Sequence, residues 1–306
     1  MAGIEASDDE DFSRAIYKHQ VGLKDLEVRE VNLDRPHRWR MLRALHDLKT
    51  LIGRFKPLPE LDSDSYQVNL TCRLNRFVST SPIAASTFVQ VLYSSSTSLT
   101  SLAFVIDPSH AELDLNRFKN LKTLRIAMED DVSMTLRPSR FGLILNRRLF
   151  DIHRAQLSTF TTQIRKILGS TLSLRLETFS LTVQDGYVAE VMAPDLLLDI
   201  LPPSLRHLGT VLEFLDPEGP NYSEMVGRLP HLEKITIFPT GSDSVSHRQP
   251  PDAATQRRFS ELETRLGINV TSHRNSAGLI TSWYTLEPYV EETDEEEEDE
   301  DEEGSE

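Results

Sequence analysis

The sequence predicts an α/β fold: an irregular solenoid of short parallel strands alternating with helices, followed by a disordered acidic tail. Three observations predict it. A leucine-led pattern recurs along the body, apolar residues between its copies keep a helical spacing, and the net charge is concentrated in residues 291–306.

The recurring pattern is a leucine, an apolar residue three positions on, and another two beyond that. Clear copies are Leu23-Leu26-Val28, Leu99-Leu102-Phe104, Leu121-Leu124-Ile126, Leu176-Phe179-Leu181 and Leu232-Ile235-Ile237. Leu205-Leu208 begins a sixth that Thr210 interrupts, and weaker copies sit at Leu48-Leu51 and Leu74-Phe77. The starts from Leu99 onward lie 22, 55, 29 and 27 residues apart. The 55 is read as two periods, and the 76 from Leu23 to Leu99 as about three. The second and third positions are two apart, so they share one face of a strand. The leading leucine turns inward just before that strand. A single such strand cannot bury its face, whereas stacked units share one continuous core.

The segments between copies supply the helices. Trp39, Leu42, Leu45, Leu48 and Ile52 recur at three or four residues, the helical period, with Pro36 at the expected start. Pro82 precedes a second helix carrying Ile83, Phe88, Val91 and Leu92. Phe160, Ile164, Ile167 and Leu168 mark a third, and Leu196, Leu197 and Ile200 a fourth that Pro202 and Pro203 end. Alternating strand and helix favours a parallel sheet covered by helices. Near the end, Phe259, Leu262 and Leu266 fit a helix stopping at Gly267, and Ile268–Val270 and Ile280–Thr285 read as strands of a terminal cap. The domains expected are a loose acidic start at 1–11, the repeat body at 12–290 and the tail at 291–306.

These copies resemble leucine-rich repeats, above all the irregular ones of fungal F-box-type proteins. The phrases LTSLAFVI, LKTLRIAM, LPPSLRHL and LPHLEKITIF carry the likeness, with the closing RFSELETRLGINVTSH and SWYTLEPY. In that family an F-box contacts a ubiquitin-ligase adaptor while the repeats present a surface to a target. The resemblance therefore implies a repeat surface that recognises protein. The sequence departs from the regular repeat eight residues after each leading leucine, where a buried Asn or Cys is usual. Val31, Asp107, Glu129, Gln184, Glu213 and Thr240 stand there instead. No F-box is recognisable, since the first copy already starts at Leu23. The run Pro194–Leu201 is similar to an F-box opening, but its place in the body suits a repeat helix.

Signatures of chemistry are missing. The sequence has no G-x-x-x-x-G-K-S/T, G-x-G-x-x-G or G-x-S-x-G, and its nine histidines form no H-E-x-x-H or H-x-x-x-H pair. No cofactor and no metal is expected. Cys72 is the sole cysteine, so no internal disulfide forms, which suits a reducing, intracellular compartment, cytoplasmic or nuclear. In VNLTCRL it reads as a small buried hydrophobe rather than a nucleophile. There is no signal peptide and no apolar run of membrane-spanning length, so no membrane association is expected.

Charge offers two candidate contacts. The net charge is −15, and the thirteen acids of 291–306 carry all but two of it. Such a run repels itself and buries nothing. The opposite sign collects at Arg137, Arg140, Arg147, Arg148, Arg154, Arg165 and Lys166, against the single acid Asp151. This stretch fits an anionic partner or the tail itself, and equally the solvated faces of helices. A nearly neutral body argues against a nucleic-acid binder. The function expected is a non-catalytic protein-interaction scaffold whose protein partner stays unnamed. The alternatives are an acidic-tailed chaperone or escort of basic proteins, and an unrecognised hydrolase.

Overall fold

The computed structural model describes residues 22–28, 36–53, 55, 69–106, 113–128, 146–183, 201–211, 228–238, 256–257, 260–261, 263–264 and 267–272. For residues 28, 36–39, 87, 146–158 and 271–272 it describes the backbone alone. The acidic tail, the start at 1–11, Arg137, Arg140, the helix expected around Leu196 and the strand expected at 280–285 lie outside these residues.

Among the described residues, nine strands form one sheet: β1 Asp25–Val28, β2 Thr50–Gly53, β3 Arg76–Pro82, β4 Ser101–Val105, β5 Thr123–Met128, β6 Thr178–Val183, β7 His207–Val211, β8 Lys234–Phe238 and β9 Asn269–Ser272. They lie side by side in chain order, and every neighbouring pair is parallel. Each leucine-led copy, clear or weak, opens one of the first eight strands. Thr210 does not interrupt β7; it occupies the inward position opposite Ile237 and is buried there.

The leading leucine has a definite backbone job. It sits one residue before a carbonyl that accepts two N–H groups from the next strand. The carbonyls of Lys24, Lys49, Asn75, Thr100, Lys122, Glu177 and Arg206 each do this, with N···O distances of 2.7–3.1 Å. The residues preceding them are Leu23, Leu48, Leu74, Leu99, Leu121, Leu176 and Leu205, all buried. The same bifurcated junction thus repeats seven times and sets the register of the sheet. It lapses at β9, where Asn269 N alone donates to Glu233 O at 3.3 Å. There Gly267 takes the leading-leucine position, with φ of 64° in the left-handed region that favours glycine. Its N–H donates to Glu263 O, closing the helical turn before it as expected from the sequence.

Among the described residues, the first helix is shorter than expected. The helices are α1 Pro36–Arg43, α2 Ala85–Leu92 and α3 Asn146–Thr171, with a 3₁₀ turn at Tyr93–Ser95. Helix α1 stops nine residues short of Ile52, which belongs to β2. Beyond Arg43, successive i→i+3 bonds run from Leu45 N to Leu42 O and from Leu48 N to Leu45 O. Leucines three apart suit one side of a helix and a chain of tight turns alike, so the spacing alone could not separate them. Leu115, Phe118 and Leu121 repeat the same stepped turn before β5. The 55-residue interval also resolves differently. Strands β5 and β6 pair directly, so it holds no extra strand between them, and α3 lies within it instead.

The helix side of the sheet is the main core. Phe88 of α2 meets Phe77 of β3 at 6.0 Å and Phe104 of β4 at 5.3 Å between ring centroids. Phe55 joins Phe77 at 5.1 Å. Phe160, Ile164, Ile167 and Leu168 form the buried stripe of α3. Much of the opposite face of the sheet is also buried, although Arg125 stays half-buried there. Ile52, Val78, Ala103, Val105, Ala127, Val211 and Phe238 alternate with the inward residues and are all buried. Burial on both faces is typical of parallel sheets. Among the described residues, no helix is long and apolar enough to cross a membrane.

Candidate interaction surface

Polar side chains concentrate where the strands begin. The bifurcated junction holds two consecutive residues of each unit at one level across the sheet. The first are Lys24, Lys49, Asn75, Thr100, Lys122, Glu177, Arg206 and Glu233; all are exposed except the half-buried Glu177. The second are Asp25, Thr50, Arg76, Ser101, Thr123, Thr178, His207, Lys234 and Asn269, which are in register through the strand pairing. The middle seven are half-buried and the two at the sheet edges exposed. With strands about 4.8 Å apart, this stripe spans roughly 38 Å.

The stripe contains its own charge pairs. Lys122 Nζ lies 2.9 Å from Glu177 Oε1, and Arg206 Nε donates to Glu233 Oε1 at 3.0 Å. Both pairs join neighbouring units and are largely exposed, so solvent screening keeps their contribution small. Hydroxyls occupy the centre, at Thr100, Ser101, Thr123 and Thr178. Short hydroxyls beside fixed charges suit hydrogen bonding to a partner's backbone and polar side chains.

Within the stripe, His207 is held well below its usual range. Burial first, then Lys234 and Arg125, push its pKa down from 6.5 to about 4. Its Nε2 pairs with Thr236 Oγ1 at 2.8 Å. Between these pH values the unfolded chain binds a proton that the folded chain refuses. Stability is therefore full above pH 6.5 and falls as the pH drops toward 4. The ring is only half-buried, so screening limits the loss to about 1–2 kcal/mol. His207→Gln should flatten that part of the curve, as read by urea unfolding at about pH 7 and about pH 4.5. An unchanged slope would contradict the burial argument.

Beyond the stripe the same face closes over. Ser180 Oγ is buried and makes no hydrogen bond among the described residues. Beside it, a Cβ on Gly209 would fall 2.7 Å from Ser180 Oγ and 2.9 Å from Phe238 Cε2. The ring of Phe238 therefore lies over Gly209 of β7, and glycine leaves room for it. Neither the unpartnered serine nor this glycine was legible as special in the sequence.

The structure also locates the residues singled out from sequence. Arg147, Arg148, Arg154, Arg165 and Lys166 belong to α3. Arg165 is half-buried and Lys166 exposed, while the side chains of the other three lie outside the described set. Cys72 is buried; burial, the largest influence, raises its thiol to about 11, against lowering by its own backbone hydrogen bond and Lys49. The folded chain should accordingly react with an aromatic disulfide reagent at least about tenfold more slowly than the urea-unfolded chain. Equal rates would place the thiol in solvent. No group of three or more His, Cys, Asp or Glu able to hold a metal occurs among the described residues.

No protein-family profile matches this sequence, and no curated protein matches it significantly.

Proposed function

We propose that this chain is a non-catalytic protein-interaction scaffold, built as an irregular leucine-rich-repeat solenoid, that grips a protein partner along the strand-start stripe. One observation carries the reading: seven successive identical backbone junctions align polar side chains across eight strands. A stack of like units offers a partner many weak, regularly spaced contacts in place of a pocket. The leucine positions and the strand order fit the likeness to F-box-type repeat proteins. A ubiquitin-ligase connection rests on that likeness alone and is assigned to no residue.

The regular repeat's asparagine has a partial substitute, which supports the irregular form. Ser98 Oγ donates to Leu74 O at 2.7 Å and Ser204 Oγ to Leu176 O at 2.8 Å. Asn120 Nδ2 donates to Thr97 O at 2.6 Å. Each sits immediately before a leading leucine and ties its unit to the preceding one.

The test is quantitative affinity capture with the full chain, its Thr123→Arg/Thr178→Arg variant and a Glu261→Arg control. A true partner is captured by the parent and the control and lost with the double variant, whose melting curve stays close to the parent's. A partner set insensitive to the double variant would reject the stripe. Capture of basic proteins that needs residues 291–306 and disappears with salt would favour the escort reading instead.

A further inference from the structure

A second surface lies on the edge where helices end and the chain turns into the strands, beside the strand-start stripe. Tyr93 and Leu172 are the two large hydrophobic side chains left mostly exposed among the described residues, at 65% and 50%. The turn between β4 and β5 connects them. The guanidinium of Arg117 lies 5.5 Å from the ring centres of both Tyr93 and Phe118. Asn116, next to it, accepts a hydrogen bond from Ser173 Oγ at 2.7 Å, one residue from Leu172. Ser170 Oγ accepts from Leu115 N at 3.1 Å, fixing the end of α3 on this turn. Lys166 is four residues before Ser170, on the same side of α3, and Lys119 is in the turn itself; both are exposed.

The result is an exposed tyrosine, a stacked arginine and an exposed leucine, flanked by two lysines. Tyrosine and arginine are the residue types that dominate interface energetics. Among the described residues, the cations Arg117, Lys119 and Lys166 outnumber the neighbouring acid Asp114, whose carboxylate accepts from Asn116 N. An occupant of this surface should combine apolar groups with a run of negative charge.

This chain contains such a segment. Tyr289 and Val290 immediately precede the thirteen acids of 291–306. It can also reach. From Ser272 at the end of β9 to Tyr289 there are 17 residues, enough to span roughly 55 Å when extended. The patch lies four to five strands from β9, about 24 Å across the sheet. We propose that residues 289–301 dock on the Tyr93–Arg117–Leu172 surface. The aromatic and aliphatic pair then covers Tyr93 and Leu172, and the acids face Arg117, Lys119 and Lys166. An external partner of this surface must present the same chemistry and displace the segment.

Zero-length carbodiimide cross-linking of the full chain, read by mass spectrometry, reports carboxylate–lysine contacts directly. Acids of 291–301 should couple to Lys119 and Lys166 in preference to Lys24, Lys49, Lys122 and Lys234 of the stripe. Tyr93→Ala and Arg117→Glu should each cut that yield to about a tenth, while coupling of Lys122 to Glu177 persists as an internal control of folding. Cross-links spread evenly over all exposed lysines would overturn the proposal, as would links concentrated on the stripe. Mixing isotope-labelled and unlabelled chains separates docking within one molecule from docking between copies; predominantly mixed-isotope links would also overturn it.

Discussion

Phe88→Ala is expected to lower the unfolding free energy by about 3–5 kcal/mol, the range for removing a buried phenylalanine. The ring is fully buried and touches Phe77 and Phe104, which sit on two successive strands. It therefore couples α2 to β3 and β4 at once. Its loss removes those contacts and leaves a cavity among side chains that themselves face Phe55 and the neighbouring leucines. Urea unfolding followed by far-UV circular dichroism measures the change. Hydrogen exchange should show it first at Phe77–Val78 and Leu102–Phe104, because stacked units pass strain mainly to their neighbours. A loss below about 1 kcal/mol would mean that these rings do not pack as described.

The second large effect is expected at Gly209. Adding one methyl group there brings it within 2.9 Å of Phe238 and closer still to Ser180. Neither neighbour is free to retreat: both are buried. Gly209→Ala should cost about 1–3 kcal/mol through overpacking, and Gly209→Val more. Ser180→Gly should recover part of the loss in a double variant, because it removes the nearest atoms. The coupling measured by the four-member cycle should be at least about 0.5 kcal/mol. Purely additive effects would show that the strain is released elsewhere.

Gly209 and Phe238 also mark the limit of what a sequence pattern conveys. The alternation of β7 and β8 announces two strands with inward Leu208, Ile235 and Ile237, and that much is local. That the opposite face would close at Val211 and Phe238, yet stay accessible at His207 and Lys234, depends on what lies across the sheet. The candidate cations tell a similar story. Their clustering between 137 and 166 was legible as charge, but not that Lys166 would stand exposed one helical turn before Ser170, which receives a hydrogen bond from a turn some fifty residues earlier.

The leading leucines by themselves determined the number of early strands, their starting points and their order. Each is a local signal: one apolar residue that must turn inward, followed by a pair on one strand face. Even the weak copies at Leu48 and Leu74 produced strands, because the backbone junction needs only the buried leucine and the carbonyl after it. The tertiary structure decided the rest. It ended α1 at Arg43, since three-residue spacing is shared by helices and stepped turns. It paired β5 directly with β6 and placed a long helix in the chain between them, because spacing counts residues without saying which of them pair. And it brought Tyr93, Arg117 and Leu172 together from three separate segments, a contact that only the stacking of neighbouring units creates.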